Sequence, residues 1–334
     1  MSLINFNGIK IMKKQKVLIC GATGFIGRNM TEAFAKFNNY EVHAVRFKRP
    51  EYVCKNVIWH QADLRDPNKV DELVDGMDII IQAAATTSGA KDIVTKPYIH
   101  VTDNAVMNSY LFRAAYHHNL KHVLFFSCTV MYQTSQKALS EEDFDANKSL
   151  HERYFGVGNT KIYLEKMCEF YASISDTKYT AIRHSNIYGP YDKFDLERSH
   201  FFGANVTKTM LAEDAITMWG EGEEERDLLH VDDLVEFVRL AIEKQFANYR
   251  LYNCGLGNGN SVKDVIHMII KAAGKDLEIR HDLSQPSIKT SLYLDCRLAE
   301  QELGWKPKVD LREGIERTIS WWKDNIDPVS LGLK

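Results

Sequence analysis

Cys20-Gly21-Ala22-Thr23-Gly24-Phe25-Ile26-Gly27 follows the apolar run Val17-Leu18-Ile19. It opens a stretch in which Ile26, Met30, Ala33, Phe34 and Phe37 recur at helical spacing. A strand, a glycine turn and a helix in that order form a site for a diphosphate. Gly21 permits the tight turn, Gly24 lets the backbone approach the phosphates, and Gly27 lets the helix pack closely on the strand. The helix start adds N–H groups without partners inside the helix and a partial positive charge. The segment therefore reads as a dinucleotide-binding turn, with Thr23, Phe25 and Ile26 beside the glycines in the cofactor site.

Around it, the 334 residues carry 42 basic and 45 acidic side chains, a formal net charge of -3. That balance leaves no electrostatic footprint for nucleic acid or an acidic membrane surface. Cys20, Cys54, Cys128, Cys168, Cys254 and Cys296 form no CxxC pair and no metal-ligand spacing, so reduced thiols and no metal are expected. No stretch approaches the roughly 18 apolar residues of a membrane span, and the N-terminal residues lack the apolar core and cleavage site of a signal peptide. The expectation is a cytoplasmic protein whose partner is a small molecule.

Strand-like runs at 17–20, 42–45, 57–61, 78–83, 122–127 and 179–184 alternate with helical ones at 26–37, 67–75, 98–118 and 155–173. This alternation predicts an α/β fold, a Rossmann-type doubly wound parallel sheet covered by helices on both faces. After Asn186 the pattern turns irregular, with helices near 200–212, 231–245, 261–273 and 311–323 and the turn Gly255-Leu256-Gly257-Asn258-Gly259. The expected organisation is a flexible tail over 1–13, a dinucleotide-binding domain over 14–185, and a smaller mixed α/β substrate-binding region over 186–334. A strand near 249–254 is expected to return to the main sheet.

Several spaced motifs then point the same way: Gly21 to Gly27, Ala62-Asp63-Leu64, Ala83-Ala84-Ala85, Asn104, Asn186-Ile187-Tyr188-Gly189-Pro190, and Arg226 ahead of His230-Val231-Asp232-Asp233. Over roughly residues 16–325 the chain resembles the extended short-chain dehydrogenases/reductases, the NAD-dependent epimerase/dehydratase type, that act on nucleotide sugars. The run from His184 to His200, with Trp219-Gly220, is most similar to the GDP-L-fucose synthase branch, and similar proteins in bacterial capsule clusters act on GDP-manno-heptose. The resemblance implies that Asp63 and Leu64 line the adenine pocket and that Ala83, Ala84 and Ala85 lie along the diphosphate and nicotinamide ribose, with His184 in the same pocket. It implies a GDP-sugar ligand held by Asn186, His200, Lys208, Trp219 and Arg226. A dianionic diphosphate needs cations or N–H donors, which suits Lys208 and Arg226.

The superfamily also uses a Ser/Thr, a Tyr and a Lys, the last two four residues apart on one helix face. The Tyr exchanges a proton with the substrate, and the Lys holds the ribose and lowers the Tyr pKa. Aligned through Lys166-Met167-Cys168-Glu169, Lys161 is the ribose lysine, and the position four before it is Val157, which carries no proton. Cys128 falls at the Ser/Thr position with Thr129 beside it. Tyr154 lies two helical turns before Lys161. The epimerase Cys of the fucose synthases matches Val130, while their His matches His200. The cofactor and sugar sites thus look intact, the epimerase pair is broken and the proton relay is weakened. The activity that needs least is hydride transfer at the sugar C4, oxidation of a GDP-manno-heptose type substrate. A 4-keto-sugar reductase, with or without 3,5-epimerisation, and a non-catalytic nucleotide-sugar binder are the alternatives. The proton acceptor is left among Thr129 with a water, Cys128, Tyr154 and a water on Lys161.

Two signals for the cofactor conflict. Arg46 ends the second strand, followed by Lys48 and Arg49, and an Arg there accommodates the 2′-phosphate of NADP. Thr23 stands where NADP-using fucose synthases carry an Arg, and an oxidising enzyme ordinarily takes NAD, so NAD is expected and NADP is the alternative. The family pairs the helices near 100–118 and 155–173 across a two-fold interface, which implies a homodimer or homotetramer.

Overall fold

The computed structural model describes residues 3–6, 9–86, 96–196, 199–284 and 291–329. Where a flexible tail was expected, β1 (Leu3–Phe6) pairs antiparallel with β2 (Ile9–Met12).

The alternating segment then builds β3 (Gln15–Cys20), α1 (Phe25–Phe34), β4 (Tyr40–Arg46), β5 (Val57–Gln61), α2 (Pro67–Val74), β6 (Ile79–Gln82), α3 (Thr102–His117), β7 (His122–Phe126), α4 (Phe155–Ser173) and β8 (Lys178–His184). Beyond it come β9 (Asn186–Tyr188), α5 (Phe201–Leu211), β10 (Ala215–Trp219), β11 (Glu225–Arg226), β12 (Leu228–His230), α6 (Val231–Lys244) and β13 (Tyr249–Cys254). The chain closes with β14 (Asn260–Ser261), α7 (Val262–Ala273), β15 (Glu278–Asp282), α8 (Arg297–Leu303) and α9 (Leu311–Asn325).

Seven strands form one sheet in the order β5-β4-β3-β6-β7-β8-β13, every neighbouring pair parallel. Both faces are covered, which is why its inner strands are continuously apolar rather than alternating. Val17, Ile19, Ile79 and Ile81 pack with Met30 and Phe34 of α1 and Leu234 and Phe237 of α6. Leu18, Cys20 and Ile80 pack on the other face with Leu111 and Phe112 of α3 and Leu164 and Cys168 of α4. The strand order reverses between β3 and β6, and the crevice outside the carboxyl ends there is where open α/β sheets take ligands.

The segment after residue 186 contributes to two layers. A parallel neighbour requires a crossover connection, and α6 supplies it, so α6, β13 and α8 belong to the main sheet layer. The smaller region is what remains: a second core of Tyr188, Phe194, Phe202, Val206, Val265, Ile269, Ile315 and Trp322. It is flanked by the β9–β12 and β10–β15 parallel pairs.

One buried polar network joins α4 to the carboxyl-end side of the main sheet. Arg183 of β8 donates through Nε and Nη2 to the two carboxylate oxygens of Glu165 on α4, at 3.0 and 2.7 Å. The two side chains are only 3% and 5% exposed. Ser127 Oγ donates to Glu165 at 2.5 Å, and Arg183 Nη1 donates to Tyr132 Oη, which donates to Asn253 of β13. Removing one member of a buried, fully bonded pair leaves an uncompensated charge, at a cost of about 3–5 kcal/mol. Glu165→Ala is therefore expected to lose about that much stability in denaturant unfolding, with Glu165→Gln losing less because it keeps an acceptor. A loss under about 1 kcal/mol for the alanine variant would contradict this reading of the network.

Candidate functional site

The glycine turn lies at the strand-order reversal. Gly21 adopts φ +74°, and a Cβ there would meet the Ala84 backbone N and Cα at 2.7 Å. A Cβ on Gly27 would fall 2.1 Å from the Gly21 carbonyl oxygen, so α1 can approach the turn only with glycine at that position. The turn closes with Gly24 N–H on Gly21 O at 2.9 Å. Asp66 on α2, His230 on α6, Ser261 on α7 and Asp310 on α9 cap their helices with side chains, whereas α3, α4, α5 and α8, like α1, begin without one. The residue preceding α1 is Gly24, which makes no side-chain cap, so the start of α1 presents backbone N–H groups and the positive end of the helix dipole. Phe25 and Ile26 form its first turn, and the Thr23 carbonyl accepts from Arg49 at 3.4 Å.

The neighbouring strand ends are held by polar side chains. Ala83 N–H donates to Cys20 O at 3.2 Å, and Gln82 both donates to and accepts from the Ala84 backbone. Asn104 of α3 brackets the Thr86 backbone in the same way, at 2.9 and 3.1 Å. Ala83, Ala84 and Ala85 therefore line the edge of the turn. Ala62 N–H donates to Arg46 O, bringing Asp63 and Leu64 to the end of β4. Leu64 is buried against Cys20 and Val45, which makes it a core residue as well. Asp63 is held in a fork by Arg65, which reaches on to Asp103, and this holds its carboxyl below the usual range.

Across the crevice, Lys161 of α4 donates to the Phe126 carbonyl at 2.6 Å, at the carboxyl end of β7. Burial lowers its pKa. Cys128 lies close enough that the lysine charge pulls its thiol down, but burial outweighs this and the net shift is upward. Tyr154, in the turn that leads into α4, is also pushed up by burial and pulled down by Arg226, with Cys128 in electrostatic range. Thr129 is half-buried, its carbonyl accepting from Tyr132 N–H. His184 is driven by burial down to about 4 and sits within range of both Lys161 and His200, which precedes α5. Lys161, Cys128, Tyr154, His184, His200 and Arg226 thus converge from both sides of the crevice.

Asn186 bonds the Asp227 carbonyl through its side chain at 3.1 Å, next to Arg226. Asp227, a residue the sequence reading missed, accepts from Leu256, Gly257 and Leu294 N–H and so ties three loops behind the site. Lys208 and Trp219 stand together elsewhere in the smaller region, with the ammonium 5.7 Å from the indole centroid and donating to Thr217 O. Also unforeseen were Lys193 and His100, both within electrostatic range of His200. Nothing in local sequence marks them, because the fold alone brings their segments together. Among the described residues no cluster of His, Cys, Asp or Glu has the arrangement of a metal site, and no helix is long and apolar enough to cross a membrane.

A strand–glycine turn–helix at the switch point of a seven-stranded parallel sheet defines a Rossmann-type dinucleotide-binding protein. The chain belongs to the NAD dependent epimerase/dehydratase family, whose profile matches residues 17–255. GDP-L-colitose synthase of Yersinia pseudotuberculosis is 28% identical over 312 residues, 92% of this chain and 97% of that one. GDP-L-fucose synthase of Escherichia coli K12 is 26% identical over 330 residues, 95% and 99% of the two chains. UDP-glucose 4-epimerase from Thermotoga maritima, solved with UDP-glucose, shares the fold at TM-score 0.83 and 23% identity, covering 94% of this chain and all of that one. A GDP-6-OMe-4-keto-L-xylo-heptose reductase from C. jejuni does so at 0.82 and 20%, covering 95% and 99%. NAD is the cofactor of the family, and the residues fit it: the turn leaves no room for a side chain at Gly21 or Gly27, and α1 opens without a cap.

In the segment leading to His200, Asp192 is buried with Oδ1 on Lys193 N–H and no hydrogen-bond partner for Oδ2 among the described residues. Burial raises its carboxyl to about 7. A raised folded-state pKa gives relative stability at acid pH that is lost as pH climbs from the unfolded value, about 4, through 7. Asp192→Asn should remove this term. Thermal unfolding between pH 5 and 8 should show the variant gaining on the wild type as pH rises, and parallel curves would refute the assignment.

Proposed function

We propose that this protein is an NAD-dependent oxidoreductase that transfers a hydride between the cofactor and C4 of a GDP-sugar, of the manno-heptose type. The observation that carries it is Lys161, anchored on Phe126 O at the carboxyl end of β7 with Cys128, His184 and Tyr154 around it. The relatives named for GDP-L-colitose and GDP-L-fucose synthesis support a GDP-linked sugar.

In this reading the glycine turn and the start of α1 take the NAD diphosphate, with Arg46, Asp63 and Leu64 around the adenosine. Ala83 to Ala85 flank the rest, and Lys161 holds the nicotinamide ribose with His184 nearby. The bound nicotinamide supplies or accepts the hydride. Asn186 and Arg226 hold the sugar end of the GDP-sugar, Lys208 and Trp219 its nucleotide, and His200 hydrogen-bonds the sugar. Val157 offers no proton. Cys128 and Tyr154 both keep theirs at neutral pH because burial raises each. Oxidation of a C4 hydroxyl then relies on water beside Thr129 or Lys161, a slow route. The same two raised groups favour a second reading, reduction of a 4-keto sugar, since a group that keeps its proton donates it to a developing alkoxide.

The test incubates the purified protein with GDP-mannose and GDP-manno-heptose plus NAD, with 2-oxo acids as hydride sinks. It is repeated with GDP-4-keto sugars plus NADH. Nicotinamide absorbance and mass spectrometry of the sugar report loss or gain of two hydrogens at C4. No redox change in either direction would leave only a non-catalytic binder. General acid–base catalysis is worth about 10²–10⁴-fold, so Val157→Tyr is expected to raise turnover by at least about tenfold. An unchanged rate would mean that the proton relay does not limit the reaction.

A further inference from the structure

The end of β4 presents a contradiction. An acidic residue there selects NAD by accepting a hydrogen bond from the ribose 2′-OH, and an arginine there accommodates the 2′-phosphate of NADP. This chain has Arg46 at that place, with Lys48 and Arg49 following, yet the family model it matches is that of the NAD dependent epimerases/dehydratases, and solved neighbours of the same fold hold NAD.

The cations at this place are already engaged. Arg46, with its side chain only 22% exposed, lies in ion-pair range of Glu51, Nε to Oε2 3.4 Å, without a hydrogen bond between them. Arg49 donates to the Thr23 carbonyl in the glycine turn, and the Lys48 ammonium lies 5.2 Å from the Phe47 ring centroid. The loop that brings Glu51 back to Arg46 is pinned at the next residue. Tyr52 packs edge-on to Trp59 of β5 at 5.0 Å and lies under the Arg28 guanidinium at 4.1 Å. Arg28 itself is in the first turn of α1 and pairs with Glu32 at 2.9 Å. The carboxylate at the end of β4 thus comes from the following loop, fixed against the same helix that opens the cofactor site. The other acid nearby, Asp63, is taken up by Arg65.

We infer that Glu51 is the specificity-determining residue for NAD over NADP. Its carboxylate neutralises Arg46, supplies the acceptor that the 2′-OH needs, and repels a 2′-phosphate dianion, which is discrimination by a built-in repulsion. The inference rests on the family's NAD dependence and stands apart from the identity of the sugar.

The test titrates the intact chain, freed of any bound dinucleotide, with NAD and with NADP in a calorimeter. Circular dichroism checks that each variant is folded. The wild type is expected to favour NAD by about tenfold or more. Glu51→Gln, at a half-exposed position where folding should not suffer, is expected to narrow the NAD:NADP ratio by about tenfold, mainly through tighter NADP. Adding Arg46→Met to Glu51→Gln should abolish that gain, since the freed guanidinium is what the phosphate would meet. A wild type that binds both dinucleotides alike, or a folded Glu51→Gln variant whose ratio moves less than about twofold, overturns the proposal. So does a gain that survives Arg46→Met.

Discussion

Two charges buried between α4 and β8, Glu165 and Arg183, hold the working parts of this molecule in register. Neither could be there alone, because desolvating a single charge costs several kcal/mol. Their mutual fork is completed by Ser127, Tyr132 and, through it, Asn253. Ser127 immediately precedes Cys128, and Glu165 lies one helical turn after Lys161 on the same face of α4. The pair therefore sets the distance between the end of β7 and the helix that carries the lysine, and Asn253 extends the constraint to the last strand of the sheet.

On the other side of the crevice the constraint is steric rather than electrostatic. The Gly21 carbonyl occupies the space a Gly27 side chain would need, and the Ala84 backbone occupies that of Gly21. α1, β3 and β6 are locked together by the absence of atoms, which leaves the helix start open. The two constraints face each other, so a ligand between them meets backbone N–H groups on one wall and Lys161, His184 and Cys128 on the other. Burial pushes the Cys128 and Tyr154 protons toward retention and those of Lys161 and His184 toward release. That opposition sets what proton chemistry these four groups can offer.

Much of the sheet was legible because its strands are buried on both faces and read as apolar runs separated by helical spacing. The glycine turn was legible because its chemistry is local: strand, turn and helix are consecutive. The return of the strand at 249–254 to the main sheet was expected; that α6 and α8 pack there with it was not, since a pattern of helices does not say which layer each will join.

By itself the sequence determined the fold class and the cofactor turn, since each of these is a matter of residue type at a fixed spacing. Tertiary structure alone decided the partners. Glu165 with Arg183, Asp227 with the 256, 257 and 294 backbone, and Tyr154 with Arg226 are separated by long stretches of chain. So was the meaning of Arg46: the sequence shows a cation at the end of a strand, and only the folded loop shows a carboxylate set against it. Charges act through space and not along the chain, and the distance that governs them does not exist until the chain has folded.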